Sequence, residues 1–276
     1  MLNTAIAISV LTLTLYTSGD LLIKRPSERA GSVPVSLVVS ASSAAFLTIL
    51  SSFFYSTIPL ISLFFSIITG IIMGAGTLLV LKSLESEQVS DTMSMVAISY
   101  VIPVIFGTLI LQEIVPRFSW FGIVLIFTGS AVIMFKEMKF NKALLPAVFG
   151  NILWGFQFIT FDYALQYSNN FLIIAASSSV IALSVVFLYA YIESDIKIKT
   201  PYAIEAMFAG IILGLGLAGA LYLVLNHIIT IGLSIVAAEP ALITLFGKLV
   251  YRDRINLVQV AGVSMAVLGI IFVTYF

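Results

Sequence analysis

The chain has 276 residues, of which 61% are hydrophobic and only 9% charged, with a mean hydropathy of +1.16. A water-soluble domain of this size coats itself with about a quarter charged residues, so this composition excludes a soluble globular protein and suits lipid on most faces. A formal net charge of zero argues against a nucleic-acid surface, and the lack of cysteine removes disulfide and thiol chemistry.

Crossing a bilayer takes about 20 apolar residues per helix. In chain order, apolar runs predict spans at 3–23, 34–54, 59–82, 90–111, 118–136, 143–165, 170–191, 202–227, 232–248 and 256–275. The first run lacks a basic leader and a small-residue cleavage site, so it is expected to persist as a helix. The charged stretch from Lys24 to Arg29 closes it, Ser56-Thr57 with Pro59 turns the chain after the second run, and Glu85-Ser86-Glu87-Gln88 follows the third. Glu193-Ser194-Asp195, with Lys197 and Lys199, follows the seventh. Almost the whole chain is used by these spans, so the function is expected to lie within the membrane.

Loops after odd-numbered spans hold Lys24, Arg25, Arg29, Lys82, Lys136, Lys139, Lys142, Lys197, Lys199, Lys248, Arg252 and Arg254, whereas loops after even-numbered spans hold only Arg117. The positive-inside rule then puts the odd loops in the cytoplasm and both termini outside. A multi-pass location in the cell membrane of a prokaryote is expected.

The sequence repeats internally. An offset of 140 residues superimposes Gly70 on Gly210, Gly74 on Gly214, Gly76 on Gly216, Gly107 on Gly247, Gly122 on Gly262 and Gly129 on Gly269. Chance placement would match about 0.6 of them, so the coincidence marks a duplication. The same register sets Glu113 on Asp253, and an offset of 138 sets Tyr16 on Trp154. The expected architecture is all-α, with ten transmembrane helices in two repeats, 1–138 and 139–276. Five helices per repeat is an odd number, so the second repeat enters the membrane from the opposite side. Such inverted repeats are characteristic of secondary transporters, whose sites lie near the midplane between repeats.

Two five-helix halves, together with Trp154-Gly155-Phe156-Gln157-Phe158 and Ala238-Glu239-Pro240-Ala241-Leu242, resemble the EamA-type members of the drug/metabolite transporter superfamily. Leu111-Gln112-Glu113 resembles the family's leucine-glycine-glutamate ending of the fourth helix, and Tyr251-Arg252-Asp253 resembles a degraded copy of it. The first half departs from the pattern, with Tyr16-Thr17 where Trp-Gly is usual and Tyr100 where a proline is usual. The resemblance implies movement of metabolites or amino acids, commonly export, and its usual drawing has cytoplasmic termini, opposite to the charge distribution here.

Several residues are candidates for the site. Glu239 falls near the middle of the ninth span, where a carboxylate costs about 2.5–3.5 kcal/mol on insertion scales and so needs a cavity or a partner. It suits a substrate ammonium or a coupling proton, and equally a fixed interhelical hydrogen bond. Pro240 beside it frees a carbonyl one turn back. Tyr16, Trp154 and Gln157 sit on the repeat-equivalent first and sixth spans, as an aromatic platform with an amide or as an interfacial belt. Tyr100, Tyr222 and Asn226 suit a cavity lining or hydrogen bonds between helices. Asp162 is a second coupling candidate, although its place near a helix end favours solvation. His227 alone makes no metal site. The Gly70-Gly74-Gly76 and Gly210-Gly214-Gly216 sets are expected to form a packing seam on one face of their helices.

These features favour a secondary carrier of small organic metabolites, with neutral or zwitterionic amino acids first, working by alternating access. A flippase for lipid or lipid-linked substrates on the same scaffold is the alternative. An intramembrane enzyme is less favoured, because no His-Glu-x-x-His motif, Gly-x-Ser-x-Gly elbow or cysteine is present. No cofactor is expected, since no nucleotide-binding motif occurs. The expected partners are a small-molecule solute, membrane lipid and, as a candidate coupling ion, protons, with the chain working as a monomer.

Overall fold

The computed structural model describes residues 2–54, 57–84, 95–137, 144–193, 197–251 and 256–275. Among the described residues there are eleven helices: α1 (Leu2–Ala30), α2 (Ser32–Ser52), α3 (Leu60–Leu84), α4 (Ala97–Leu109), α5 (Arg117–Glu137), α6 (Leu145–Leu165), α7 (Phe171–Glu193), α8 (Thr200–Leu225), α9 (Ile229–Val236), α10 (Glu239–Tyr251) and α11 (Leu257–Tyr275). Eight stretches are long and apolar enough to cross a membrane, with α9 and α10 taken together as one, and α4 is a shorter apolar helix. The protein is therefore a multi-pass membrane protein. α6 falls short of that apolarity because it carries Asn151, Gln157 and Asp162, all of them buried inside the bundle.

Three features differ from the sequence expectation. The first helix does not stop at the charged cluster but runs on through Pro26 to Ala30. The ninth span is two helices, broken at Ala237 and Ala238 just ahead of Glu239-Pro240. Proline has no N–H, so Pro240 cannot continue the hydrogen-bond ladder of α9. The Ala237 carbonyl left at the break accepts a bond from the Ser130 hydroxyl of α5 at 2.8 Å, which satisfies it where no water is at hand. Thirdly, the glycines of α3 do not share one face. Gly70 and Gly74 approach Ile181 and Val185 of α7, while Gly76 approaches Trp154 of α6. Two residues along a helix turn about 200°, which carries Gly76 to another neighbour. Residues 90–94 of the fourth predicted span, the charged run 85–88, and Lys139, Lys142, Arg252, Asp253 and Arg254 lie outside the described residues.

The two halves interlock. α3 packs on α6 and α7, while α8, its counterpart in the repeat, packs on α1 and α2. α2 meets α7, α4 meets α6 and α9, and α5 pairs with α11. Apolar helices in lipid gain nothing from burying one another's hydrocarbon, so close approach of backbones has to supply the packing energy. The α5–α11 pair shows how: a Cβ on Gly129 would stand 2.5 Å from the Gly262 carbonyl oxygen, and one on Gly262 would stand 2.7 Å from that of Gly129. Only glycine fits at either position.

Candidate functional site

The interlocked helices leave a cavity of about 160 Å³ between α1, α2, α3, α4, α6, α7, α8 and the start of α10. Five of the residues anticipated from the sequence line it: Tyr16, Tyr100, Trp154, Gln157 and Glu239. The repeat explains how two of them are seated. Trp154 lies against Gly76, where an added Cβ would come 2.6 Å from the indole, and Tyr16 lies against Gly216, where the corresponding distance is 2.8 Å. Each ring thus fills the space left by a missing side chain on the third helix of the opposite half. The Trp154 indole N–H points to the Met73 carbonyl at 3.4 Å, which fixes the ring on α3.

Glu239 is 1% exposed and opens the first turn of α10. The N-terminal end of a helix presents unpaired N–H groups and a positive dipole end, so the break beside Ala238 gives a carboxylate a favourable seat within the bundle. The Tyr100 hydroxyl donates to Glu239 Oε2 at 3.1 Å. Glu239 Oε1 faces no donor among the described residues. A second carboxyl group shares the cavity. Asp20, one turn after Tyr16 on α1, lies within hydrogen-bonding reach of Glu239. Sequence reasoning passed over Asp20 because it falls four residues before Lys24, at what reads as the headgroup end of the first span. The 138-residue register held the missing signal, since it sets Asp20 on Phe158, another lining residue. Ser99 lines the cavity too, and the 140-residue register sets it on Glu239.

Three anticipated residues stand elsewhere. Tyr222 packs edge-on against Phe171 with ring centroids 5.9 Å apart. Asn226 is exposed at the end of α8, where its amide donates to the Tyr222 carbonyl at 2.7 Å. Asp162 is buried outside the cavity lining and accepts a bond from the Gln166 amide at 2.8 Å. His227 is exposed, with a left-handed φ of 53°. Among the described residues, no group of three or more His, Asp or Glu side chains could hold a metal ion.

The cavity extends toward Ile23, Val35, Val80, Leu81 and Val96, at the end of the bundle where the chain passes from α1 to α2 and from α3 to α4. Polar contacts join the two halves at the opposite end. Glu113 accepts the backbone N–H groups of Ile229 at 2.8 Å and Thr230 at 2.7 Å, so its carboxylate caps α9 across the two halves. Gly107 leaves room for this contact, since a Cβ there would lie 2.5 Å from the Thr230 hydroxyl. The Ser62 hydroxyl donates to the Ala164 carbonyl at 2.9 Å, and the Asn170 amide to that of Phe54 at 2.9 Å. Phe65 of α3 stacks on Tyr163 of α6, with ring centroids 5.4 Å apart.

Comparison with known proteins agrees with this geometry. A solved crystal structure superposes with a TM-score of 0.77 at 12% identity, covering 99% of this chain and 96% of that one, which shows a shared fold. No curated protein matches the chain. The model of the EamA-like transporter family matches twice, at residues 3–135 and 141–275, so that nearly every residue falls in one of two tandem copies. The two matches together span nearly the whole chain, and the chain belongs to the EamA-like transporter family.

Proposed function

We propose that the protein carries small organic solutes through the central cavity, with neutral or zwitterionic amino acids as the first candidates. Ten crossings in two inverted five-helix halves then open the cavity alternately to the two sides of the membrane. The observation that carries this reading is the paired seating of Tyr16 on Gly216 and Trp154 on Gly76. Repeat-equivalent aromatics stand on repeat-equivalent glycines of opposite halves, and both line the cavity that holds Glu239. Symmetric walls around one site are what alternating access between inverted repeats requires. The cavity's contents suit a solute with an apolar body and an amino group: aromatic rings for the body, and carboxyl, amide and hydroxyl oxygens for the ammonium.

The test is counterflow in proteoliposomes. Vesicles preloaded with unlabelled amino acid should accumulate labelled amino acid at equal pH inside and out, which needs a carrier but no driving ion. Glu239→Gln removes the charge that faces the ammonium and should cut the rate at least tenfold, because a charge-assisted hydrogen bond contributes about 1.5–3 kcal/mol. Absence of counterflow with every amino acid and amine tried would overturn the carrier reading, above all if the same vesicles scrambled a labelled phospholipid.

A further inference from the structure

We propose that Ser130, on a helix that stands outside the cavity wall, is the positioning residue for Glu239. Its hydrogen bond to the Ala237 carbonyl fixes the break between α9 and α10, and with it the place of the carboxyl group in the cavity. The proposal rests on the carrier reading above and adds to it a residue that acts from behind the wall.

No described residue of α5 lines the cavity. The broad contact of α5 is with α11, and it reaches α9 and α10 by narrower ones. The α11 contact makes α5 rigid at this level. A Cβ on Gly129 or on Gly262 would stand 2.5 or 2.7 Å from the other's carbonyl oxygen, so the two backbones are seated directly on one another. Ser130 follows Gly129 and is 1% exposed. A hydroxyl on so fixed a stretch of backbone is a donor of fixed position.

That donor is aimed away from its own helix. In an apolar helix a serine or threonine hydroxyl ordinarily bonds a carbonyl three or four residues back. Thr128 of α5 does so, donating to Val124 at 2.7 Å, and Ser264 of α11 donates to Val260 at 2.8 Å. Ser130 instead crosses to Ala237, 107 residues along the chain, at 2.8 Å. The carbonyl it reaches lies in the Ala237-Ala238 break, two residues before Glu239. A buried carbonyl left without a donor is costly in a membrane, so the backbone of the break is held where the hydroxyl stands. Glu239 follows directly, and its Oε2 meets the Tyr100 hydroxyl at 3.1 Å.

The other end of α9 is tied as well, where Glu113 accepts the N–H groups of Ile229 and Thr230. All eight residues of α9 are buried. A helix of the second half is thus held at both ends by side chains of the first. Sliding α9 or turning it about its axis would break one tie or the other, so the residues that follow keep one position. The 140-residue register sets Ser130 on Ile270, Glu239 on Ser99 and Pro240 on Tyr100. The copy that lacks the carboxylate and the proline also lacks the serine.

Two measurements test this, one with a solute and one without. In counterflow of a labelled amino acid that the parent carries, Ser130→Ala should raise the KM about fivefold and leave the maximal rate within about twofold, because the carboxyl group remains but stands out of place. Ser130→Thr keeps the hydroxyl and should behave as the parent. Thr128→Val removes a hydroxyl bonded within α5 and should do so too. Ser130→Cys, with a weaker donor, should fall between, and it serves the same test where Ser130→Ala is lost on purification. In the Glu239→Gln background Ser130→Ala should add little, since a positioning residue and the group it positions are coupled, whereas a general loosening of the bundle would add in full. Without solute, purified protein is labelled with dicyclohexylcarbodiimide and the modified carboxyl groups are located by mass spectrometry. Ser130→Ala should raise the labelling of Glu239 relative to that of Asp20 about threefold or more, and Thr128→Val should leave the ratio as it is. An unchanged ratio in Ser130→Ala would overturn the proposal. So would equal KM shifts in Ser130→Ala and Ser130→Thr, or an undiminished effect in the Glu239→Gln background. A raised ratio with no counterflow by the parent would sink the carrier reading and leave the positioning role standing. Counterflow with an unchanged ratio would do the reverse.

Discussion

Gln112 adopts a φ of 54°, in the left-handed region, and its side chain is exposed between α4 and α5. An L-residue there meets its own backbone at a cost of about 1–2 kcal/mol, which glycine avoids at a smaller entropic penalty. Gln112→Gly should therefore stabilise the protein by about 0.5–1 kcal/mol, raising the midpoint of thermal unfolding in detergent with no loss of counterflow. An unchanged or lowered midpoint would mean that the turn relaxes in the substituted protein. The resemblance already pointed at this position, since glycine is usual where Gln112 stands. Individual residues were otherwise unevenly legible. Glu239 announced itself as a carboxylate far from any loop. Asp20 did not, because its visibility depended on where the first helix ends. With α1 running to Ala30, Asp20 lies ten residues, about 15 Å, from that helix end. A helix end misplaced by one charged cluster thus hid half of the carboxyl pair.

At the scale of elements, the apolar runs mark the helices well, but hydropathy is blind to a break inside an apolar run. Nothing in the average from Ile229 to Leu249 separates α9 from α10, and only Pro240 hints at it. The cap on α9 was equally hidden: Glu113 was legible as a repeat mate of Asp253, yet its partners are backbone N–H groups 116 and 117 residues away. Backbone partners carry no sequence signature. Both carboxylate oxygens are engaged, and Glu113→Gln would keep one acceptor while turning an N–H2 group toward the other donor. Losing a charge-assisted bond and leaving a donor unpaired costs this contact between the halves about 1–3 kcal/mol. The chain has no cysteine of its own, so a single Ser179→Cys in the cavity reports access cleanly. Glu113→Gln should raise its labelling by an impermeant maleimide from the α4–α5 side roughly fivefold or more, the factor that one or two kcal/mol buys. Equal rates in both backgrounds would reduce Glu113 to a local cap with no part in closure.

At the scale of the whole molecule, duplication, family and interlocked packing describe one object, whereas only the charge distribution bears on the sense in which it sits in the membrane. Twelve of the thirteen basic residues fall at or just beyond the ends of the odd-numbered spans predicted from the sequence. An inverted repeat makes a sharper demand than orientation, because corresponding loops of the two halves must lie on opposite sides. The segment ending α1, around Glu28, corresponds at the 138-residue offset to the one after α6, around Gln166 and its neighbour Tyr167, and Glu28 and Tyr167 are both exposed. One carries Lys24, Arg25 and Arg29, and the other carries no basic residue between Leu165 and Phe171. The positive-inside rule therefore predicts the first inside and the second outside. In intact cells, Tyr167→Cys should react with an impermeant maleimide, and Glu28→Cys should react only after permeabilisation. The reverse pattern would keep the inversion and turn the whole molecule over, placing the termini in the cytoplasm as the family is usually drawn. Equal reactivity of both sites from one side would remove the inversion itself, and with it the symmetry that makes one cavity with matched walls a route across the membrane.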